Sequence, residues 1–454
     1  MAEKNELRRI LIANRGEIAL RAIRVCRRIG LETVAIYSTA DASSAHVWAA
    51  DKAVCVGPAA AQKSYLSAKA VVHIALETGC DGVYPGYGFL AENAEFADLC
   101  SQNGIKFIGP SAETISTMGN KSKAREVAVS LGVPVVPGSD QAFDKGADAR
   151  AVAEGVGFPI LLKARSGGGG RGMRIVNQAS EFEQAFVEAH REAEAAFDDG
   201  AIYLERFFRA VRHIEIQVFG DGKGGSIEFD ERDCSVQRRH QKLIEESPSP
   251  IVSEDQRRDL RHAARLLTRG TQYEGAGTVE FILDTASGEF FFIEMNTRIQ
   301  VEHTVTEMRV DMDLIELQFS VAQGHPLPET SSGKGHAIEF RVNAEDWTNG
   351  FSPSPGNLTR WQPPQGQGIR LDSAVGSGQN VVPFYDSMIA KLIVYGDNRD
   401  QALERSHKAL AAFRVTGLCT TIGFHRLLID HPDFADNAIH TRWIEEVFSA
   451  GQEA

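Results

Sequence analysis

The chain has 454 residues, 43% hydrophobic and 24% charged, with 61 acidic against 48 basic side chains. That length predicts two or three packed domains of ordinary globular composition. The acidic balance and the lack of a long Lys/Arg run argue against nucleic acid or an anionic membrane as partner, and no apolar run approaches the roughly 20 residues that a membrane span needs.

Residues 8–38 read as one strand-helix-strand unit: an apolar strand over 9–13, helical spacing over 18–26, a stop at Gly30 and a strand over 33–37. Short strands follow near 53–56, 82–85 and 106–108, so residues 1–110 are predicted as an open α/β domain. The turn Asn14-Arg15-Gly16-Glu17 carries one glycine where a dinucleotide site would show GxGxxG, so the scaffold is inferred and nicotinamide binding is not. Pro85-Gly86-Tyr87-Gly88-Phe89-Leu90 ends a strand where such sheets build ligand loops, and it equally fits a tight turn.

A helical linker over 111–134, with a helix from 121 to 131, leads to Val133-Pro134-Val135-Val136-Pro137-Gly138, a rigid connector that marks a boundary. Residues 135–207 are predicted as a small α+β segment centred on a strand, a glycine loop (Gly167 to Gly170, Gly172) and a second strand. Bare backbone N–H groups there can close on phosphate oxygens. No helix follows and no GK[ST] is present, so neither a dinucleotide fingerprint nor a P-loop applies. A phosphate-covering flap, with Lys163 entering as a point charge, is set against a plain glycine linker. A helix over 181–197 and a strand over 203–208 complete the segment.

Residues 208–340 form the next predicted domain and 341–450 the last. A strand over 213–219 meets the hairpin turn Asp221-Gly222-Lys223-Gly224-Gly225. Residues 231–242 are the densest charged run, which fits either a solvated loop or a set of donors for an anionic substrate. A helix over 254–270 follows, then a β-hairpin of 277–284 and 289–294 that brings Glu280 near Glu294. Residues 294–303, read as an extended strand, put Glu294, Asn296, Arg298, Gln300 and Glu302 on one face. Two carboxylates about 4 Å apart repel by roughly 4 kcal/mol at an effective dielectric of 20, so this row needs cations or a ligand. Two carboxylates beside an Asn oxygen make the hard, all-oxygen site that Mg2+ shares with nucleotide phosphates. A helix over 314–322, a strand over 337–343, short strands to about 395 and two helical stretches close the chain. The six cysteines show no CxxC, and no signal peptide is visible, which predicts a cytoplasmic location.

Ala13-Asn14-Arg15-Gly16-Glu17-Ile18-Ala19, the 85–90 loop, residues 167–173, residues 232–242 and residues 294–303, in that order and spacing, resemble the biotin carboxylases of the ATP-grasp superfamily over nearly the whole chain. The resemblance implies an α/β and α+β multidomain fold: a Rossmann-like N-terminal domain, an ATP-grasp flap and core, and a C-terminal biotin carboxylase domain. It implies an ATP-dependent ligase that turns ATP and bicarbonate into a carboxyphosphate-like intermediate and passes CO2 to N1′ of carrier-bound biotin. This is the first half-reaction of an acetyl-CoA or other acyl-CoA carboxylase.

Under that resemblance, Lys121, Lys163, Gly169, Gly170, Glu205, Arg206, Phe207, Phe208, His213, Gln237 and His240 serve ATP. Glu280, Glu294 and Asn296 hold Mg2+ or Mn2+, and the two glutamates also belong to the ATP site. Lys242, Arg298, Gln300, Val301 and Glu302 take bicarbonate, with Glu302 as general base and Arg298 orienting the anion, while Arg341 stabilises the biotin enolate. The implied partners are a biotin carboxyl carrier protein and a carboxyltransferase on separate chains, since no Ala-Met-Lys-Met motif occurs, and a second copy in a homodimer. Thr304, Asn120, Arg206, Val211 and Arg165-Ser166 depart from the usual pattern. Another ATP-grasp carboxylate-amine ligase, a non-catalytic nucleotide-binding regulator and an excised module of a longer carboxylase are the alternatives.

Overall fold

The computed structural model describes residues 7–165, 173–197, 199–329 and 332–448. It divides into two compact units: Met1–Val133 with Arg212–Ile282 and Glu294–Ala454, and Pro134–Val211 with Leu283–Ile293. Among the described residues no helix is long and apolar enough to cross a membrane.

The first sheet of the larger unit runs β3-β2-β1-β4-β5, built from β1 (Arg9–Ile12), β2 (Glu32–Ser38), β3 (Lys52–Gly57), β4 (Gly82–Tyr84) and β5 (Lys106–Phe107). All four pairings are parallel. Ile10, Leu11 and Ile12 are each fully buried, as expected of a strand covered on both faces. The helix Gly16–Arg28 packs Ile18, Ala19, Ala22 and Ile23 into that core, with Glu17 in its first turn and Arg27 and Arg28 in its last, matching the helix dipole.

The smaller unit is a three-stranded antiparallel sheet ordered β7-β6-β8, from β6 (Ile160–Ala164), β7 (Met173–Val176) and β8 (Ile202–Arg206). Alternate residues Ile160, Leu162 and Ala164 are buried, and they meet Ala149 and Ala153 of the helix Gly146–Val156 and Phe182 and Phe186 of the helix Phe182–Phe197. The predicted glycine loop joins β6 to β7, and its Gly169 and Gly170 lie outside the described residues.

The second sheet has eight strands. Its order is β13-β12-β9-β10-β11-β14, then Met388–Gly396 and Ile369–Ser373, with β9 Val211–Asp221, β10 Ser226–Arg238, β11 Gln241–Ser247, β12 Glu274–Asp284, β13 Phe290–Asn296 and β14 His336–Asn343. The charged run is not a solvated loop: it is β10, a tight turn and β11, and every side chain from Glu231 to Gln237 is buried. Partners make this tolerable, as Arg232 meets Glu215 at 2.5 Å, Arg257 meets Glu231 at 2.7 Å and Arg212 meets Asp233 at 3.2 Å. Exposure is confined to the turn, with Arg239 and His240 at positive φ, and to Gln241 at the start of β11.

The strand expected over 294–303 is shorter than its alternation suggests. β13 stops at Asn296, because the Thr297 N–H donates to the Glu92 carboxylate at 3.0 Å instead of to a neighbouring strand. Glu302 is the N-cap residue of the helix His303–Val310, so Gln300 and Glu302 are both buried at an irregular corner.

Candidate active site

The base of the site is a buried guanidinium. Arg232 of β10 donates through all five N–H groups: to Glu215 Oε1 at 2.5 Å, Gln217 Oε1 at 2.9 Å, Thr306 Oγ1 at 3.2 Å, Thr278 Oγ1 at 3.1 Å and Gln300 Oε1 at 2.9 Å. A fully satisfied buried network of this kind fixes geometry, and here it ties β9, β10, β12 and the 300–302 corner together.

Lys242 of β11 sits next to it, almost buried, and its ammonium donates to three carboxylates: Glu215 at 2.7 Å, Glu280 at 3.0 Å and Glu302 at 2.6 Å. Burial opposes its charge, but Cys234, Glu215, Glu302 and Glu280 outweigh that and hold the ammonium charged well above the usual lysine range. The other Glu302 oxygen accepts from Arg341 Nη2 at 2.9 Å, and Arg341 Nε donates to Glu245 at 2.5 Å. Burial would raise the Glu302 carboxyl, yet Lys242, Arg341 and Arg232 together hold it well below the usual carboxylate range. Glu245 behaves oppositely. Burial, with Glu302 nearby, lifts it to about 7 against the pull of Arg341.

Glu280 of β12 accepts on Oε1 from Lys242, from Asn296 Nδ2 at 2.8 Å and from Gln300 Nε2 at 2.7 Å, and His213 Nε2 lies 3.1 Å from its Oε2. These cationic and polar neighbours hold its carboxyl well below the usual range despite burial, Lys242 contributing most. Glu294 faces Lys121 at 3.3 Å. Arg298 donates to Glu92 at 2.9 Å, to the Ile299 carbonyl at 3.2 Å and to Asn296 Oδ1 at 3.1 Å. The Val301 carbonyl accepts from the buried Lys391 at 2.9 Å.

Donor chemistry fits a hard divalent cation. Glu280, Glu294 and Asn296 offer oxygens, and both carboxylates lean on cations or N–H donors that a metal ion could replace. Among the described residues, two groups of metal-capable side chains have ligand atoms all within 4.8 Å: His213, Glu215 and Glu280, and Glu215, Cys234 and Glu302. Glu294 belongs to neither, and Lys242 bonds to every carboxylate in both.

Gln237 is buried on β10 opposite Lys242 of β11, whereas His240 lies in the exposed turn between these strands. In the smaller unit Lys163 and Glu205 form an ion pair between β6 and β8. Arg206 lies 5.3 Å over the Phe208 ring, Phe208 stacks on Phe291 at 5.2 Å, and the Phe207 N–H donates to the Pro159 carbonyl at 2.9 Å. Several departures from the family pattern have local partners. Asn120 caps the helix Lys121–Ser130 by accepting from the Lys123 N–H at 3.0 Å, a task in which Asn and Asp are equivalent. The Thr304 hydroxyl donates to buried Glu339, and Arg165 pairs with Asp199 at 2.9 Å.

Sequence reasoning missed Glu215, Glu92 and Glu245, and it gave Arg232 no role. Glu215 was signalled by the alternation His213-Glu215-Gln217. Glu92 carried no local signal.

Three family descriptions match in order: "Biotin carboxylase, N-terminal domain" over residues 6–115, "Carbamoyl-phosphate synthase L chain, ATP binding domain" over 120–330 and "Biotin carboxylase C-terminal domain" over 339–446. The biotin carboxylase of Nostoc sp. is 47% identical over 442 residues, 97% of this chain and 99% of that one. Among solved structures, the Campylobacter jejuni biotin carboxylase-beta-gamma-ATP complex superposes with a TM-score of 0.88 at 44% identity, covering 97% of this chain and 99% of that one. The biotin carboxylase domain dimer of Hydrogenobacter thermophilus 2-oxoglutarate carboxylase, in complex with MgADP, ADP and bicarbonate, superposes at 0.86 with 43% identity and 97% of each chain covered. With this likeness running through all three segments, the chain belongs to the biotin carboxylase family of ATP-dependent ligases.

Proposed function

We propose that this chain carboxylates biotin on a carrier protein at the expense of ATP and bicarbonate, as the first half-reaction of an acyl-CoA carboxylase. The observation that carries the reading is the buried Glu302 carboxylate clamped between Lys242 and Arg341, one residue beyond the Val301 carbonyl. A carboxylate held that low is a weak base. Bicarbonate entering beside Lys242 and Arg298 draws the lysine charge onto itself, which raises the proton affinity of Glu302 and lets it take the bicarbonate proton.

The freed bicarbonate oxygen then bonds to the γ-phosphorus of ATP as the bond to ADP breaks. Carboxyphosphate splits into CO2 and phosphate, phosphate removes the N1′ proton of biotin, and N1′ bonds to CO2. Arg341 holds the negative ureido oxygen that develops, and Gln300, fixed by Arg232, keeps the corner in place. A divalent cation held by Glu280, Glu294 and Asn296 would neutralise phosphate charge during transfer. Lys121, Lys163, Glu205 to Phe208, His213, Gln237 and His240 are assigned to ATP, and Gly169 and Gly170 to covering its phosphates.

We further propose the domain division 1–110, 111–134, 135–207, 208–340 and 341–450, a cytoplasmic location, a homodimer, and carrier and carboxyltransferase on separate chains. The dimer of the Hydrogenobacter domain supports the oligomer. ATP cleavage by the purified protein should require bicarbonate and rise with free biotin, with carboxybiotin as product. Cleavage that ignores bicarbonate, or that needs an amine acceptor, contradicts the reading.

A further inference from the structure

Lys391 is a buried charge that the mechanism above does not use. Its side chain is inaccessible to solvent, it lies 3.2 Å from the Glu17 carboxylate, and it donates to the Val301 carbonyl at 2.9 Å. Glu17 in turn accepts from the Tyr87 hydroxyl, so the first turn of the helix Gly16–Arg28, the 85–90 loop and the strand Met388–Gly396 converge on the backbone next to Glu302. Lys391 is also directly opposite Arg341 in the antiparallel pair of β14 with Met388–Gly396. Side chains directly opposite share a face about 5 Å apart, where like charges repel. The two cations part accordingly: Lys391 goes to Glu17 and Val301, and Arg341 goes to Glu245 and Glu302.

A buried ammonium is costly unless its partners are worth keeping, and an apolar side chain would serve mere packing better. We propose that Lys391 is a positioning residue for the bicarbonate subsite: anchored by Glu17 and Tyr87, it fixes the Val301 carbonyl and, by repulsion across the strand pair, aims Arg341 at Glu302. The inference rests on the assignment of bicarbonate to Lys242, Arg298 and Glu302.

The test is steady-state ATP cleavage with bicarbonate and ATP varied separately. Lys391→Met is expected to raise KM for bicarbonate roughly tenfold, the effect of losing one charge-assisted hydrogen bond, with KM for ATP unchanged. Because that variant leaves Glu17 buried without its cation, the double variant Glu17→Gln with Lys391→Met is the decisive protein. It removes both charges, is expected to recover the thermal stability lost in the single variant, and should keep the raised KM for bicarbonate. A double variant with KM for bicarbonate within about twofold of wild type overturns the proposal, as does a fall in kcat with both KM values unchanged. Wild-type cleavage that does not depend on bicarbonate would overturn the functional reading itself, and with it this inference.

Discussion

Replacing Lys242 with methionine removes one ammonium from three buried carboxylates. Each loses a hydrogen bond of 2.6–3.0 Å, but none is stranded. Glu215 keeps Arg232 at 2.5 Å, Glu302 keeps Arg341 at 2.9 Å, and Glu280 keeps the Asn296 and Gln300 amides. The loss should therefore match one broken buried ion pair, about 3–5 kcal/mol, and not three times that. Spread over the unfolding entropy of a unit of several hundred residues, this lowers Tm by about 4–6 °C. The pH dependence is the sharper signature. In the wild type the low-held carboxyls of Glu302 and Glu280 give stability that is present above the ordinary carboxylate range and lost as pH falls through it; without Lys242 they rise toward the ordinary value and that loss shrinks. Thermal unfolding of both proteins from pH 6 to pH 3 should show the deficit shrinking by about 1 kcal/mol or more as pH falls, since a tenfold change in a carboxylate's proton affinity corresponds to about 1.4 kcal/mol. A deficit constant across that range would mean that methionine merely packs badly, and would refute the charge argument.

Other consequences follow from neighbouring groups. Glu246 is held at about 2 against an ordinary 4.5: burial would raise it, but the His336 hydrogen bond and the Arg399 charge win. It contributes about 3 kcal/mol above pH 4.5 that is lost as pH falls toward 2, so Glu246→Gln should flatten the acid limb of the Tm profile between those values. Glu245, lifted to about 7 by burial, has the opposite sign: its contribution is present below the ordinary range and fades as pH rises through 7. Glu245→Gln should therefore gain Tm relative to wild type between pH 5 and pH 8, and a constant difference would contradict the assignment. Glu92→Ala removes one of the three acceptors that hold the Arg298 guanidinium and should raise KM for bicarbonate roughly fivefold, about 1 kcal/mol, with little change in Tm because Glu92 is exposed.

Much of the fold was legible because periodicity survives without tertiary information. The helix expected over 254–270 is found as Glu254–Gly270, and the parallel strands of the first sheet lie where short apolar runs placed them. Charge inside strands was the blind spot. Glu231 to Gln237 looks solvated in one dimension, and only the pairing of β10 with β9 and the helix Glu254–Gly270 shows that each ion has a buried partner. The row Glu294, Asn296, Arg298, Gln300 and Glu302 was found by alternation and Glu280 by the hairpin, although Gln300 and Glu302 reach the site from an irregular corner and not from a strand. Glu92 lies 206 residues from Arg298, a separation that no local pattern bridges.

The central claim is that a bicarbonate oxygen beside Lys242, Arg298 and Glu302 attacks the γ-phosphorus of ATP. Turnover with 18O-labelled bicarbonate and free biotin in unlabelled water, followed by mass analysis of the inorganic phosphate, reads that step directly. One labelled oxygen per phosphate formed is the expected result, and Glu302→Gln should abolish most of the turnover that delivers it. Phosphate carrying only solvent oxygen would contradict the account.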